Sequence, residues 1–245
     1  MEKLVNQDLF ELTTNKNGVW IIIPAFNEEK TISDILQSLS EIGYSIIVID
    51  DCSSDNTCKI ALQYPVVLLK HTINLGQGAA LQTGFNYIRK FSKVSCVVTF
   101  DADGQHNIGD IELITKPILT GDYDVVLGSR FLQKKELGQN QGGIPLAKLV
   151  TLKLGVLFTR LTTKLRLTDT HNGFRAFSFQ AMQLINISQD RMAHGSEILM
   201  QIAKNKMKYC EIPVTIAYTA YAKKKGQSVF NSLNILWDLF LGRDE

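Results

Sequence analysis

With 245 residues, 45% of them apolar and 20% charged, the chain can bury one substantial core and is a little long for a single average domain. A formal charge of +2 excludes a strongly basic nucleic-acid binder, so no nucleic acid is expected as a partner. Charge is unevenly placed, however, with Lys223, Lys224 and Lys225 consecutive near the end, and an anionic partner would be met locally. Cys52, Cys58, Cys96 and Cys210 form no C-x-x-C pair; they read as reduced, buried or half-buried thiols, which favours a cytoplasmic location. The first residues lack the pattern of a signal peptide, and no uncharged apolar run reaches the ~18 to 20 residues needed to span a bilayer. The chain is expected not to cross a membrane.

In chain order, short apolar runs alternate with helical patterns. Residues 20–23 read as a first strand that ends in Pro24-Ala25-Phe26-Asn27-Glu28-Glu29. Ile32, Ile35, Leu36, Leu39 and Ile42 then form one stripe of a helix over residues 31–42. A second strand over 45–49 ends in Asp50-Asp51-Cys52-Ser53-Ser54-Asp55, and a third covers 66–69. Asn74-Leu75-Gly76-Gln77-Gly78 opens a helix over 79–91, where two glycines allow a tight turn or close approach to a ligand. It lacks the spacing and the Lys-Ser/Thr ending of a P-loop, which disfavours a P-loop ATPase. A fourth strand, 96–100, delivers Asp101-Ala102-Asp103-Gly104-Gln105-His106, and a fifth, 125–127, delivers Gly128-Ser129-Arg130.

These runs are too continuously apolar for strands with one wet face, so the fold class is α/β, with a doubly wound, mostly parallel sheet flanked by helices. Farther on, residues 146–167 are apolar but interrupted by Lys148, Lys153, Arg160, Lys164 and Arg166, with Lys153, Arg160 and Lys164 on one face. Such a helix either lies in a bilayer interface or packs on the sheet with a solvated basic edge. The apolar tail over 233–241 is an anchor or a docking helix, against the domain itself or a membrane partner. The expected division is a catalytic domain over 1–230, its core about 19–220, and a short carboxyl-terminal helix over 231–245.

In a doubly wound sheet, ligands bind beyond the carboxyl ends of the strands. Here those ends are rich in acids and amides, more than helix capping by Asn27, Ser53 or Ser54 needs. Asp101 and Asp103 are the most informative pair. Hard cations such as Mg²⁺ and Mn²⁺ prefer oxygen ligands, keep several waters, and are held by one or two carboxylates plus the phosphates of a nucleotide. A solvated turn is the alternative for an isolated Asp-x-Asp. His71, His106, His171 and His194 show no ligand spacing and are not assigned to a metal.

Taken together and in order, residues 23–29, 48–53, 74–78, 101–106 and 128–130 resemble the family-2 glycosyltransferases of GT-A fold, in the branch of the dolichol-phosphate mannose synthases that glycosylates polyprenyl phosphates. The resemblance covers roughly residues 19–228 and implies a GT-A, Rossmann-like fold. It implies that Pro24, Ala25, Glu28, Asp51 and the Gly76 loop hold the donor nucleotide, Asp51 by accepting from the base. It also implies that Asp101, Asp103 and Gln105 ligate Mg²⁺ or Mn²⁺ and that Arg130 binds phosphate. Asn172-Gly173-Phe174-Arg175 resembles the segment closing the acceptor side, and Gly195-Ser196-Glu197 an acidic position before a helix. Gln77 stands where lysine is frequent, and His171 replaces the residues more usual before the Asn-Gly-Phe-Arg segment. The Gln-x-x-Arg-Trp signature of processive polysaccharide synthases is absent, which favours transfer of a single sugar.

The resemblance therefore implies an enzyme that moves one sugar from a UDP- or GDP-sugar to a polyprenyl phosphate, with inversion, on the cytoplasmic face of a membrane or beside a small integral-membrane partner. Asp103, Arg130 and Arg175 are its expected catalytic residues. A phosphate acceptor is already anionic near pH 7 and needs no strong base, whereas guanidinium groups would bring two anionic substrates together. The rival for either arginine is an ordinary ion pair with a core-edge acid. A saccharide acceptor would instead need a general base, for which Asp169 or Glu197 are candidates. A non-catalytic nucleotide-sugar-binding subunit is the remaining alternative.

Overall fold

The computed structural model describes residues 2–5, 16–132, 146–189 and 193–217. Strand β1 (Glu2–Val5) is followed by β2 (Val19–Ala25), helix α1 (Ile32–Ile42), β3 (Ser45–Asp50), α2 (Thr57–Ala61), β4 (Val66–Lys70), α3 (Gln77–Ile88) and β5 (Cys96–Thr99). Then come α4 (Ile111–Leu119), β6 (Val125–Ser129), α5 (Leu146–Thr163), β7 (Arg175–Ser178), α6 (Phe179–Leu184), α7 (Ala193–Lys204) and β8 (Tyr209–Pro213). One eight-stranded sheet has the order β1-β4-β3-β2-β5-β7-β6-β8. The pairs β2/β3, β2/β5, β3/β4 and β6/β8 are parallel, and β1/β4, β5/β7 and β6/β7 are antiparallel.

Alternation along each strand divides the core into two. Trp20, Ile22, Ile47, Ile49, Val67 and Leu69 face one side, where α3 supplies Leu81, Phe85 and Ile88. Ile21, Ile23, Ile46, Val48, Val66 and Leu68 face the other, where α1 supplies Ile32, Leu36 and Leu39 and α4 supplies Ile111 and Ile114. Each fully buried aliphatic side chain contributes about 1.5–3 kcal/mol of transfer free energy, which is why both faces carry helices. At Gly84, α3 approaches the sheet so closely that a Cβ would stand 2.7 Å from Ile22 Cγ2. The expected α/β class, the mostly parallel sheet and the flanking helices are present.

The helices begin and end close to where the apolar stripes place them. The helix predicted over 31–42 runs Ile32–Ile42 and stops at Gly43, whose left-handed φ of 87° lets its N–H return to Leu39 and Ser40 carbonyls. The helix predicted over 79–91 begins two residues earlier, at Gln77. Strand β7 was not anticipated. It enters antiparallel between β5 and β6, with Thr99 opposite Arg175 and Leu127 opposite Arg175. Through this register the segment before β7 is drawn to the end of β5, beside Asp101. Helix α5 matches the apolar run from residue 146, and the tail over 231–245, with Lys223 to Lys225, lies outside the described residues.

Candidate active site

The ends of β2 and β3 are tied to one another before any ligand is considered. Asn27, held at φ 55°, donates its N–H to Ser53 Oγ at 2.9 Å, and its Oδ1 accepts from the Ser54 N–H at 2.8 Å. These side chains therefore bridge two strand-end loops and do not cap helices; the residue ahead of α1 is Thr31, which makes no side-chain cap bond. The Thr31 hydroxyl donates to the Ala102 carbonyl at 2.7 Å, linking the first loop to the Asp101–Asp103 turn. Glu28 is buried, its N–H donating to Thr57 Oγ1 at 2.7 Å, and its charge reaches Asp103.

Asp51 organises the glycine-containing loop. Its Oδ1 accepts from the Leu75 N–H at 2.9 Å and its Oδ2 from the Gly76 N–H at 2.7 Å, while His71 Nδ1 stands 2.7 Å from Oδ1. The other imidazole nitrogen reaches Thr83 Oγ1 at 3.0 Å. A carboxylate has about four acceptor positions, and three of those of Asp51 are used within the protein. In this arrangement Asp51 shapes the 74–76 loop.

The Asp101–Asp103 pair sits in a cleft of about 230 Å³. Gln77, Asp101, Asp103 and Gln105 form one wall; Thr170, His171, Arg175, His194, Gly195 and Ser196 form the other, with Gly173 at the seam. Both oxygens of Asp101 are held: Gln77 Nε2 donates to Oδ1 at 2.8 Å, and His106 Nε2 lies 3.0 Å from Oδ2. His106 is itself fixed between Phe100 and Phe174, at ring-centre distances of 5.3 and 5.0 Å. Gly173 closes over the same carboxylate, and a Cβ there would meet Asp101 Oδ2 at 2.7 Å. Asp103 Oδ1 accepts from the Gln105 N–H at 3.0 Å.

Electrostatics separates the two acids. Burial raises the Asp101 carboxyl, but the His106 hydrogen bond and charge, with help from His194 and Arg175, overcome it and hold Asp101 below the usual carboxylate range. Asp103 is pushed up, first by burial and then by the negative charge of Asp101. Two carboxylates that repel each other in a partly dry cleft, beside the Gln105 amide, form an oxygen donor set suited to a hard divalent cation. Among the described residues no group of three or more His, Cys, Asp and Glu gathers to hold a metal. A hard cation held by two carboxylates completes its shell with water and substrate oxygens. Asp101, Asp103 and Gln105 thus fit Mg²⁺ or Mn²⁺.

Both arginines are engaged within the protein. Arg130 makes a two-pronged pair with Asp169, Nε to Oδ2 at 2.7 Å and Nη2 to Oδ1 at 2.8 Å, and its N–H donates to the same carboxylate. The ordinary ion pair weighed against a phosphate contact is what forms. Burial would raise Asp169, yet the Arg130 hydrogen bonds and charge hold it below the usual range. Arg175 is buried; its Nε donates to the Asn172 carbonyl at 3.0 Å and its Nη atoms to Gly195 and Thr170 carbonyls at 3.4 and 3.3 Å. Burial lowers its pKa to about 10, so it stays charged at neutral pH. Arg175 is on the cleft wall but acts as a brace of the 170–173 turn against the start of α7.

The candidate bases are likewise engaged. Asp169 belongs to Arg130, and the Glu197 carboxylate accepts from Ser188 N–H and Oγ and the Gln189 N–H at 2.6–3.1 Å. His171, a departure already evident in the sequence, faces the cleft. Burial, with the charges of Arg130 and Arg175, lowers its pKa against the opposing pull of Asp169, leaving a neutral imidazole at pH 7. Its Nδ1 lies 2.9 Å from Thr170 Oγ1, and its Cε1 would stand 2.7 Å from a Cβ at Gly155 of α5. Of the cleft-lining residues, Thr170 was not singled out from the sequence; His194 was considered only as a metal ligand and set aside, and Ser196 only as part of the Gly-Ser-Glu segment. Pro24, Ala25, Glu28, Asp51 and Gly76 stay outside the cleft lining, at neighbouring strand and loop ends.

A sheet that binds at its carboxyl edge, carrying an acidic pair at the end of β5, defines a nucleotide-sugar type of site, and the comparisons with known proteins agree. Residues 20–185 match Glycosyl transferase family 2, and the chain belongs to that family: it is a glycosyltransferase of GT-A fold, related to the dolichyl-phosphate sugar transferases. An uncharacterized protein of Methanocaldococcus jannaschii is 37% identical over 231 residues, 93% of each chain. The UDP-N-acetylglucosamine--dolichyl-phosphate N-acetylglucosaminyltransferase of Methanococcus voltae is 34% identical, over 91% of this chain and 95% of that one. Among solved structures, glucosyl-3-phosphoglycerate synthase from Mycobacterium tuberculosis in complex with Mn²⁺ and UDP-glucose superposes with a TM-score of 0.66. It covers 91% of this chain and 78% of that chain at 18% identity, a likeness of fold.

Proposed function

We propose that the protein transfers one sugar from a UDP- or GDP-sugar to a polyprenyl phosphate, with Mg²⁺ or Mn²⁺ at Asp101, Asp103 and Gln105. The observation that carries this reading is the engagement of both acceptor-side acids. Asp169 and Glu197 are committed to Arg130 and to the 188–189 turn, so neither is placed to take a proton from a sugar hydroxyl. A phosphate monoester needs no such base. The relative from Methanococcus voltae, named for transfer to dolichyl phosphate and matched over nearly its whole length, supports the same acceptor class.

When bound, the cation would stabilise negative charge gathering on the departing diphosphate. The chain's own groups do the remainder. Asp51 and His71 hold the 74–76 loop in shape for the donor, while Gln77 and His106 orient Asp101. Arg175, still cationic, supplies positive potential behind the 170–173 turn, and Arg130 with Asp169 stiffens the same turn from the other side. His171 and His194 offer ring nitrogens on the wall where an acceptor phosphate would lie.

A lipid-linked acceptor also requires a surface that meets the bilayer. Helix α5 turns Leu152, Gly155, Val156 and Thr159 inward, and leaves Leu154, Leu157 and Leu161 exposed. Lys153, Arg160 and Lys164 form an exposed stripe beside those leucines, a combination suited to an anionic membrane interface. His171 packing on Gly155 joins this helix to the acceptor wall. Among the described residues no helix is long and apolar enough to cross a membrane. The reading is peripheral attachment on the cytoplasmic face, directly or through an integral-membrane partner. Co-sedimentation with anionic liposomes, with and without short-chain polyprenyl phosphate, tests it: binding that high salt weakens is expected, and absence of binding with no membrane partner recovered would end it.

A further inference from the structure

The first residue of α3, Gln77, is half-buried in the cleft and directs its amide to the acid that opens the Asp101–Asp103 pair, at 2.8 Å from Oδ1. His106 takes Oδ2 from the opposite side at 3.0 Å. Each oxygen of a carboxylate has two lone pairs, so both bonds can stand while Asp101 also faces a cation. The placement of Gln77 is itself controlled, because the preceding Gly76 and Leu75 N–H groups are fixed on Asp51. A side chain at this position can orient Asp101 with a neutral donor or with a cationic one, and only the neutral donor leaves the two acids their full negative charge.

We infer that Gln77 is a positioning residue that holds Asp101 in place for a divalent cation without competing with it. This rests on the metal reading given above. Two contributions are separable, orientation and neutrality. Outer-sphere partners of a metal ligand typically alter affinity by about 10–100-fold when removed. An ammonium group in the same place would keep a donor but repel the cation, and that repulsion is screened by salt to the extent that solvent reaches the cleft.

The test is Mn²⁺ binding by electron paramagnetic resonance to the full-length wild type, Gln77→Leu and Gln77→Lys, in the presence of UDP or GDP. Nucleoside-diphosphate binding without metal is measured in parallel, and thermal unfolding monitors the fold. Gln77→Leu is expected to weaken Mn²⁺ about 10-fold at any ionic strength. Gln77→Lys is expected to weaken Mn²⁺ by a similar factor at low salt, with part of the loss recovered as salt rises, and to tighten metal-free nucleotide binding. A general structural defect would not tighten binding of an anion. Wild-type Mn²⁺ affinity in Gln77→Leu overturns the orienting role, and wild-type affinity in Gln77→Lys overturns the neutrality role. A wild-type protein that binds no Mn²⁺ removes the metal reading itself and this inference with it, a result distinct from either variant failing alone.

Discussion

Replacing Gly173 with alanine perturbs the site by a distance that the structure specifies. The new Cβ would stand 2.7 Å from Asp101 Oδ2 and 3.1 Å from Oδ1, where ordinary contact begins at 3.4 Å, so about 0.7 Å of overlap has to be relieved. Asp101 cannot yield without loosening its bonds to Gln77 and His106, because both of its oxygens are held. A displacement of about 1 Å in a catalytic array reduces turnover by roughly 10²-fold, so a loss of about 10- to 100-fold in kcat/KM is expected. The stability cost of such overpacking is about 1–3 kcal/mol, or a Tm lower by roughly 2–12 °C for a domain of this size, and the protein stays folded at 25 °C. Release of nucleoside diphosphate with a polyprenyl phosphate acceptor is the assay. Gly195→Ala is the control on the other wall: its Cβ would lie 3.4 Å from Arg175 Nη2, an ordinary contact, and activity should stay within about twofold. Wild-type kcat/KM in Gly173→Ala, or an equal loss in Gly195→Ala, would refute the reasoning.

Asp169→Asn should destabilise the protein by about 3–5 kcal/mol at pH 7, because one partner of a buried, two-pronged ion pair is lost; urea unfolding measures it. The Asp169 pKa is depressed in the folded state, so its contribution is present above the unfolded value of about 4 and disappears as pH falls through the folded value. The stability difference between wild type and Asp169→Asn should therefore shrink only in acid below about pH 4, and a gap that instead closes between pH 6 and 8 would contradict the pairing. Glu197→Gln should change stability through the 188–189 turn yet leave kcat within about threefold; a loss of 10³-fold would reinstate Glu197 as a base. Changing Leu157 and Leu161 together to serine should weaken liposome binding while nucleotide binding persists, and unchanged sedimentation would remove α5 from the membrane surface.

Much of the fold is legible in the sequence because strands buried on both faces are long continuous apolar runs. The five runs from Trp20 to Leu127 correspond to β2 through β6, and the stripes of Ile32–Ile42 and Leu81–Ile88 to α1 and α3. Strands β1, β7 and β8 escape that signal. Arg175-Ala-Phe-Ser is short and begins with a buried guanidinium, and Tyr209–Pro213 is only half-buried at the sheet edge. Tertiary pairing, and no local pattern, makes them strands. The acidic pair at Asp101 and Asp103 is legible for the same reason as β5, since the run of Val97 and Val98 ends where it begins. The partners of the arginines within the protein are not, because a guanidinium looks alike in sequence whether it meets a carboxylate such as Asp169 or backbone carbonyls such as those of Thr170 and Asn172. Its partner depends on the antiparallel register of β7, which no spacing in the chain reveals.

The most direct test of the central claim is transfer of a labelled sugar from a set of UDP- and GDP-sugars to a short-chain polyprenyl phosphate by the purified full-length chain, measured as label extracted into organic solvent. Lipid-borne label is expected from at least one donor with Mg²⁺ or Mn²⁺, with its loss in excess chelator and its return when the metal is restored. Transfer to free saccharides with none to polyprenyl phosphate, or full lipid transfer in excess chelator, would contradict that claim.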